Sequence, residues 1–525
     1  MSQGFDHTEG DAGLRSLTQA EQIPVDGESL TAFVGPAPRG PVDHAVSVND
    51  VETFDKVFGL PDYHCRMGLA IRQFFANGGR SAVVVRVSSN REHNIITLPA
   101  GDSALVLEAR NPGPLEFLRA SIDYDSIPSD EERRFNIVIQ RLRAPDSAWI
   151  DEQEYFRNVT VNPESRDYIG KVLSQSPHVR VIGKPPAKRP DLTIRPGSVK
   201  ESGYVAALTG LTRSPAPTDY DLIGCSESGT GLAALETVQD IAHVCLISGA
   251  PQAALGPVAM FAADSFCRTR QALLVVDPPE RWQTAEDAIA DQRRSEFASP
   301  NVLTWFPCVQ LRSASGDRSP ASATGAVAAA LAERQRNRGV EHLYDEPYTM
   351  LRGGLRLATE VSADDSKRLA RVGISTLARR SALHVQLRGN VTQSRHANLI
   401  GGGDDLMLRS EALFILRRIR LGTRWVTGNE STPRLWRELH EQLAEFMTAL
   451  HEAGLLAGAG GEESWFVRCD HDTNRGLVPR KGAVGFVVGM ALRKPGQYLT
   501  VRFQQSPSVC CITELGWQTD LALAM

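Results

Sequence analysis

Residues 463–505 read ESWFVRCDHDTNRGLVPRKGAVGFVVGMALRKPGQYLTVRFQQ, and they predict three short strands at 464–469, 483–491 and 498–503. Asp470, Asn474, Gly476 and the run Lys494-Pro495-Gly496 punctuate them, as turn formers do between strands. In the last strand Leu499, Val501 and Phe503 alternate with Thr500, Arg502 and Gln504. That period of two describes a sheet covered on one face and wet on the other. A sheet so near a chain end presents an available edge, and an unpaired edge invites strand exchange.

Upstream of this sheet, Thr432 followed by Pro433 marks a helix start, the hydroxyl taking an orphan N–H and proline filling the first helical position. Leu435, Trp436, Leu439, Leu443, Phe446, Met447 and Leu450 then form one apolar stripe. Arg437, Glu438, Glu441, Gln442, Glu445 and Glu452 fall mainly elsewhere on the wheel, and Gly454 ends the helix. The stripe reads as core; the acidic edge reads as a docking surface or as a solvated face. Before it, Gly401-Gly402-Gly403 forms a hinge, and Asp404 or Asp405 caps a helix over 406–421.

The first half of the chain has another rhythm. After a polar arm over 1–29, with one possible strand at 13–17, an apolar strand at 30–35 runs into the turn Pro36-Ala37-Pro38. A helix capped by Asn49 or Asp50 follows, then a helix over 67–76 closed by Asn77-Gly78-Gly79, then the apolar strand 82–87. Strand, helix and strand at this spacing predict a βαβ unit of a largely parallel, buried sheet. From about 90 to 190 the pattern changes to alternating strands at 105–109, 118–122 and 135–141, predicting an inserted β-sandwich. The α/β alternation then resumes: a helix starting at Gly231, a strand at 243–247, a helix over 257–270, strands at 272–276 and 302–306, and a helix over 326–336. The two α/β stretches together predict one doubly wound domain interrupted by the sandwich.

With 525 residues the chain is too long for a single core, and domains of about 100–200 residues imply three or four. Its 57 basic against 62 acidic residues, net charge -5, leave no footprint for nucleic acid or a membrane surface. No apolar run approaches the ~18 residues of a membrane span, and the polar, acidic N-terminus predicts a soluble chain made in the cytosol. The eight cysteines are scattered without a C-x-x-C pair. Cys469-Asp470-His471-Asp472 resembles a ligand set, but neighbours along a strand point to opposite faces, so no metal and no cofactor is expected. Gly224-Cys225-Ser226-Glu227-Ser228-Gly229 lacks the strand-to-helix frame and the His and Asp partners of a nucleophile elbow, so no catalytic residue is assigned.

The order of parts resembles the contractile tail sheath proteins of bacteriophages and related injection particles. Phe33-Val34-Gly35 with Arg39-Gly40-Pro41 is similar to that family's opening strand and turn, and Phe74-Phe75-Ala76-Asn77-Gly78-Gly79 followed by Val83-Val84-Val85-Arg86-Val87 to its next signature. Glu154-Tyr155-Phe156-Arg157-Asn158-Val159 resembles the end of its sandwich, and Gly231-Leu232-Ala233-Ala234-Leu235 and Asp277-Pro278-Pro279 its central domain. Trp425-Val426, Leu435-Trp436, Phe466-Val467-Arg468-Cys469-Asp470 and Lys494-Pro495-Gly496-Gln497-Tyr498 resemble its C-terminal domain. The chain departs at its start, where Gly13-Leu14-Arg15-Ser16-Leu17 replaces the family's Pro-Gly-Val-Tyr, and at its tail over 506–525, which runs past the family's usual end.

The resemblance implies a multidomain α/β protein with a subtilisin-like central domain. Its expected parts are an arm over 1–29, the central domain over 30–92 and 193–385, the sandwich over 93–192, an α+β domain over 386–505 and a second arm over 506–525. It implies a non-enzymatic subunit that polymerises helically around an inner tail tube, meets baseplate and tail terminator proteins, and contracts from a metastable state to drive the tube through an envelope. It places the protein in the virion tail, assembled in the host bacterial cytoplasm, with neither nucleic acid nor membrane insertion. The alternatives are a non-phage injection particle or bacteriocin, a static shell, and a vestigial subtilisin-like hydrolase. Leu14, Leu17, Leu499, Val501 and Phe503 are the expected inter-subunit strand residues, and Glu438, Glu441 and Glu445 the expected tube-facing ones. Cys245, Cys267 and Cys469 are expected in cores. Cys65, Cys225 and Cys308 are further thiols, and Cys510 or Cys511, on a mobile extension, is expected to form an inter-subunit disulfide once the particle meets oxidising conditions.

Overall fold

Apolar residues at successive positions bury both faces of a central sheet, whose strands run in the order Val302–Leu303, Leu273–Val275, Ile241–Leu246, Leu30–Gly35, Ala82–Arg86, Ala45–Val48. The computed structural model describes residues 20–25, 27, 29–60, 65–144, 147–193, 203–208, 215–249, 254–295, 297–312, 318–336, 350–352, 354–381, 384–394, 405–475, 483–507 and 509–519. Five of the strands are parallel, and Ala45–Val48 closes one edge antiparallel to Ala82–Arg86. The chain starts at the centre of this sheet and winds first to one side and then to the other. Phe33, Val84, Cys245 and Val275 share one face with Phe74 and Val327, whereas Ala32, Val83, Val244 and Leu274 share the other with Ala259, Ala263 and Cys267. On the first face the helices Arg66–Ala76 and Thr324–Arg336 touch at Gly325, where a Cβ would meet the Ala70 carbonyl oxygen at 1.7 Å.

Local signals place the helix ends. Asp50 accepts the Thr53 N–H at 2.6 Å and starts Val51–Phe58, and proline occupies the first turn of Pro257–Arg270. Two readings need correction. The expected strand at 302–306 is two: Trp305–Phe306 leaves the central sheet to pair in parallel with Ser375–Arg379 in a separate four-stranded sheet. Thr304 is the pivot, its carbonyl accepting the Ser375 N–H while Leu303 still bonds Val276. The helix starting at Gly231 is only the 3-10 turn Gly231–Leu235.

Between the two α/β stretches, His93–Ala100, Ser103–Pro112 and Val179–Ile182 form one sheet. Val205–Ala206, Leu118–Asp123, Arg134–Leu142 and Ile150–Thr160 form another. Their alternate residues, among them Leu98, Leu107, Ile122, Ile137 and Ile139, make one shared core, the arrangement of a sandwich. Val205–Ala206 pairs with Leu118–Asp123, so the chain stays on the sandwich beyond residue 192. At its base, Glu152 meets Arg141 at 2.8 Å, Lys56 at 3.2 Å and His178 at 3.2 Å, while Asp151 meets Arg39 at 3.0 Å. This network joins the sandwich to the C-terminal end of Val51–Phe58, whose Lys56 carbonyl accepts from Arg39 and Arg141.

The C-terminal unit places Leu406–Gly422 and Pro433–Glu452 against a four-stranded antiparallel sheet. Asp405 caps the first helix through Met407 and Leu408, and Thr432 caps the second through Leu435. Leu435, Leu439, Leu443, Phe446, Met447 and Leu450 are buried, while Trp436 packs at the margin. No helix among the described residues is long and apolar enough to cross a membrane.

Candidate assembly site at the C-terminal sheet

The sheet runs Trp465–Arg468, Val484–Met490, Tyr498–Gln505, Cys510–Gln518. Every residue of Val484–Met490 is buried, as a central strand requires. On its helix-covered face Phe486 stacks on Phe503 with centroids 4.8 Å apart. On the opposite face Phe466 packs edge-on to Tyr498 at 5.3 Å and fills the space over Gly489. Asn474 grips the strand start by accepting from the Gly485 N–H and donating to its carbonyl, at 2.9 and 3.0 Å. Asp470 caps the short helix His471–Asn474 and Cys469 points toward the Gly485 carbonyl, so the ligand-like tetrad divides between separate tasks. Among the described residues no group of three His, Cys, Asp or Glu side chains could hold a metal.

The fourth strand changes the picture of the edge. Residues 510–518, expected on a mobile arm, form a strand that pairs antiparallel with Tyr498–Gln505 along its whole length. The edge offered for exchange is therefore occupied by the chain's own tail. The hairpin is closed at Ser506, whose hydroxyl donates to the Val509 carbonyl at 2.8 Å and whose N–H reaches the same oxygen at 3.0 Å. Leu499, Val501 and Phe503 point into the core beneath the helices, and their backbone is paired on both sides, with Val484–Met490 and with Cys510–Gln518. Leu14 and Leu17 lie outside the described residues. Glu441 and Glu445 are exposed on the outer face of Pro433–Glu452, and Glu438, partly covered, is held by Arg434 at 2.9 Å.

The chain joins none of its cysteines to one another. Cys510 faces inward beside Gln505, where burial pushes its thiol up to about 11, and Cys511 is exposed on the outer face. Their alternation follows from the pleat. Cys245 and Cys267 are fully buried and Cys469 partly so. Cys65 is buried at the start of Arg66–Ala76, Cys308 is half-buried near the Pro279 carbonyl, and Cys225 is exposed.

Charged residues on the helix Leu406–Gly422 bind the C-terminal unit to the rest. Arg417 is fully buried, bonded to Asp240, Ser29 and the Gln271 carbonyl at 2.8–2.9 Å. Arg418 reaches the other Asp240 oxygen at 3.1 Å. The segment entering from the N-terminus threads between the two helices: Ile23 packs on Gly422, and Gln442 donates to the Glu21 carbonyl at 2.5 Å. The cue was present in Arg417-Arg418-Ile419-Arg420, but which of its arginines are buried depends on Asp240, far away in sequence.

The switch point of the central sheet lies where Leu30–Gly35 and Ile241–Leu246 run side by side. There Gly35 and Ile247 approach closely, and a Cβ on Gly35 would fall 2.8 Å from that of Ile247. In the Ser/Gly loop, Ser226 bonds Glu236 at 2.7 Å and Ser228 the Cys225 carbonyl at 3.5 Å. His243 is buried beneath Thr31, and burial followed by the charge of Arg417 drives its imidazole down to about 3, so it is neutral.

The sequence matches no family model, and no curated protein is similar to it in sequence. The fold, however, matches solved structures over nearly the whole chain. A sheath tail protein from Listeria innocua aligns over 94% of this chain and 96% of its own, with a TM-score of 0.61 and 11% identity. A sheath tail protein from Desulfitobacterium hafniense aligns over 94% and 98%, with a TM-score of 0.53 and 11% identity. The sheath of an extracellular contractile injection system, PVC, in its contracted state aligns over 92% and 93%, with a TM-score of 0.50 and 13% identity.

Proposed function

Because its fold aligns with a sheath tail protein over 94% of the chain, we propose that this protein is the structural subunit of a contractile tail sheath. The observation that carries this is the whole-chain alignment with a sheath tail protein, 94% of one chain on 96% of the other. In this reading the subunits polymerise helically around an inner tube in an extended, metastable lattice, anchored on a baseplate and closed by a terminator. Contraction then drives the tube through the target envelope. The role is structural rather than catalytic, in keeping with the sheath proteins that share the fold. A virion is the setting we favour, and a non-phage injection particle would use the subunit in the same way.

The C-terminal sheet is the proposed joint. Among the described residues Trp465–Arg468 leaves one backbone edge of the sheet unpaired, and opening the hairpin at Ser506 would free the edge of Tyr498–Gln505. A strand from a neighbour satisfies such an edge through backbone alone. A head-to-tail contact of this kind does not close, so it propagates as a helix of subunits.

Removing residues 1–21, or all residues after Gln505, is expected to leave folded monomers that assemble poorly. Sheaths of normal length from either truncation would refute the joint.

A further inference from the structure

The tail strand Cys510–Gln518 is held by its backbone ladder and by the half-buried side chains Cys510, Ile512 and Trp517, which pack at the margin of the core. None of its nine side chains is buried, whereas in its partner Tyr498–Gln505 all but Arg502 and Gln504 are. A backbone ladder is indifferent to sequence, so it neither fixes register nor chooses between strands. One polar side chain of the tail does reach a buried group. The Glu514 carboxylate meets the Arg409 guanidinium at 2.7 Å, and Arg409 is 8% exposed, with its Nε donating to Asn301 Oδ1 at 2.8 Å.

Glu514 stands at the one irregularity of the ladder. Val501 pairs with Glu514 and Thr500 with Gly516, which leaves Leu515 as an extra residue, and Gly516 has φ +98, a region that favours glycine. Beneath it lies a cleft of about 320 Å³, lined by Arg409 together with Arg268, Gln271, Leu413 and Ile512. Slipping the strand by one residue would turn Glu514 to the outer face and bring Thr513 or Leu515 over Arg409. A guanidinium more than nine-tenths buried would then lose its carboxylate, an expensive loss.

We propose that Arg409 is the specificity-determining residue of this edge: it selects, in a single register, the 510–518 strand of a second copy of this chain through Glu514. The inference rests on the sheath reading above and adds which residues choose the strand. The same contact holds the tail within one subunit before assembly and between two subunits after it.

The test uses full-length wild type, Arg409→Glu, Glu514→Arg and the double variant, with polymer yield read by sedimentation and electron microscopy. Each single variant, which places two like charges at this contact, is expected to polymerise at least about tenfold less than wild type. The double variant should recover. An equimolar mixture of the two single variants should also recover, because each supplies the strand that the other's edge accepts. Single variants that polymerise like wild type overturn the proposal, and so does a mixture that stays monomeric while the double variant assembles. Glu514→Gln, nearly isosteric at a partly exposed position, keeps the test open if a charge-reversed chain misfolds, since unchanged assembly by that variant also overturns it. Wild type that never polymerises would instead overturn the sheath reading itself.

Discussion

The side chain of Arg417, fully buried, meets Asp240 at 2.8 Å across 177 positions of sequence. It binds the helix Leu406–Gly422 to the start of the strand Ile241–Leu246, and Arg418 shares the same carboxylate. Asp240 lies at φ +52, which asparagine tolerates, so Asp240→Asn removes the charge with little change to the backbone. We expect that variant to lose roughly 3 kcal/mol, at the low end for a broken buried pair because Asp240 keeps some solvent contact. Denaturant unfolding measures it, and a loss within error of zero would show that the C-terminal unit is held by apolar packing alone.

Phe466 covers Gly489, where a Cβ would fall 1.9 Å from the ring. Gly489→Val should therefore push the outer strand Trp465–Arg468 away and cost about 1–3 kcal/mol, as overpacking does. Adding Phe466→Ala makes room, so the two changes should be far from additive in a double-mutant cycle. Additive losses would contradict the contact.

Acid should loosen the sandwich from the central unit. Burial pushes the Glu152 carboxyl up, but the hydrogen bond from His178 and the charges of Arg141 and His178 outweigh it and hold the group down at about 2. Its stabilisation is complete above the ordinary value of 4.5 and is lost as pH falls from there toward 2. Glu154, pushed up by burial, works in the opposite sense and above that window. Stability measured from pH 5 to about 2 should fall steeply in wild type and less steeply in Glu152→Gln. Equal slopes would remove Glu152 from the account.

Thiol chemistry reads the placement of the tail. Hydrogen bonds from the backbone and hydroxyl of Ser228 hold the exposed Cys225 thiol below its ordinary value, so it should alkylate first. Cys511 should follow, Cys510 should lag, and Cys245 and Cys267 should react only after unfolding. Mass spectrometry of timed samples reports the order; Cys510 reacting as fast as Cys511 would mean that the tail is not paired as described. In assembled particles, non-reducing electrophoresis tests whether Cys511 bridges subunits, and monomers alone would count against it.

Much of the fold was legible wherever local chemistry decides it. The helix Pro257–Arg270 has the bounds read from its proline and its periodicity, and Thr432-Pro433 starts a helix as capping predicts. Legibility failed where distant partners decide. The tail strand was missed because Glu514 and Gly516 break an alternating pattern, and their place is set by Arg409 and a bulge. The break at Thr304 was missed because an apolar run does not reveal that two sheets share it. Of the candidate site, the strand Tyr498–Gln505 was visible from its alternation, but not its place inside the sheet between Val484–Met490 and Cys510–Gln518. The buried arginines were not, since their partners Asp240, Asn301 and Gln271 come from the central unit.

The most direct measurement is electron microscopy of the particle that carries this subunit, intact and after acid or urea shock. The account predicts a helical lattice of this chain around a tube, with a second, shorter and wider lattice after shock, the subunits still joined through their C-terminal sheets. One unchanging lattice, or an assembly without an inner tube, would contradict it.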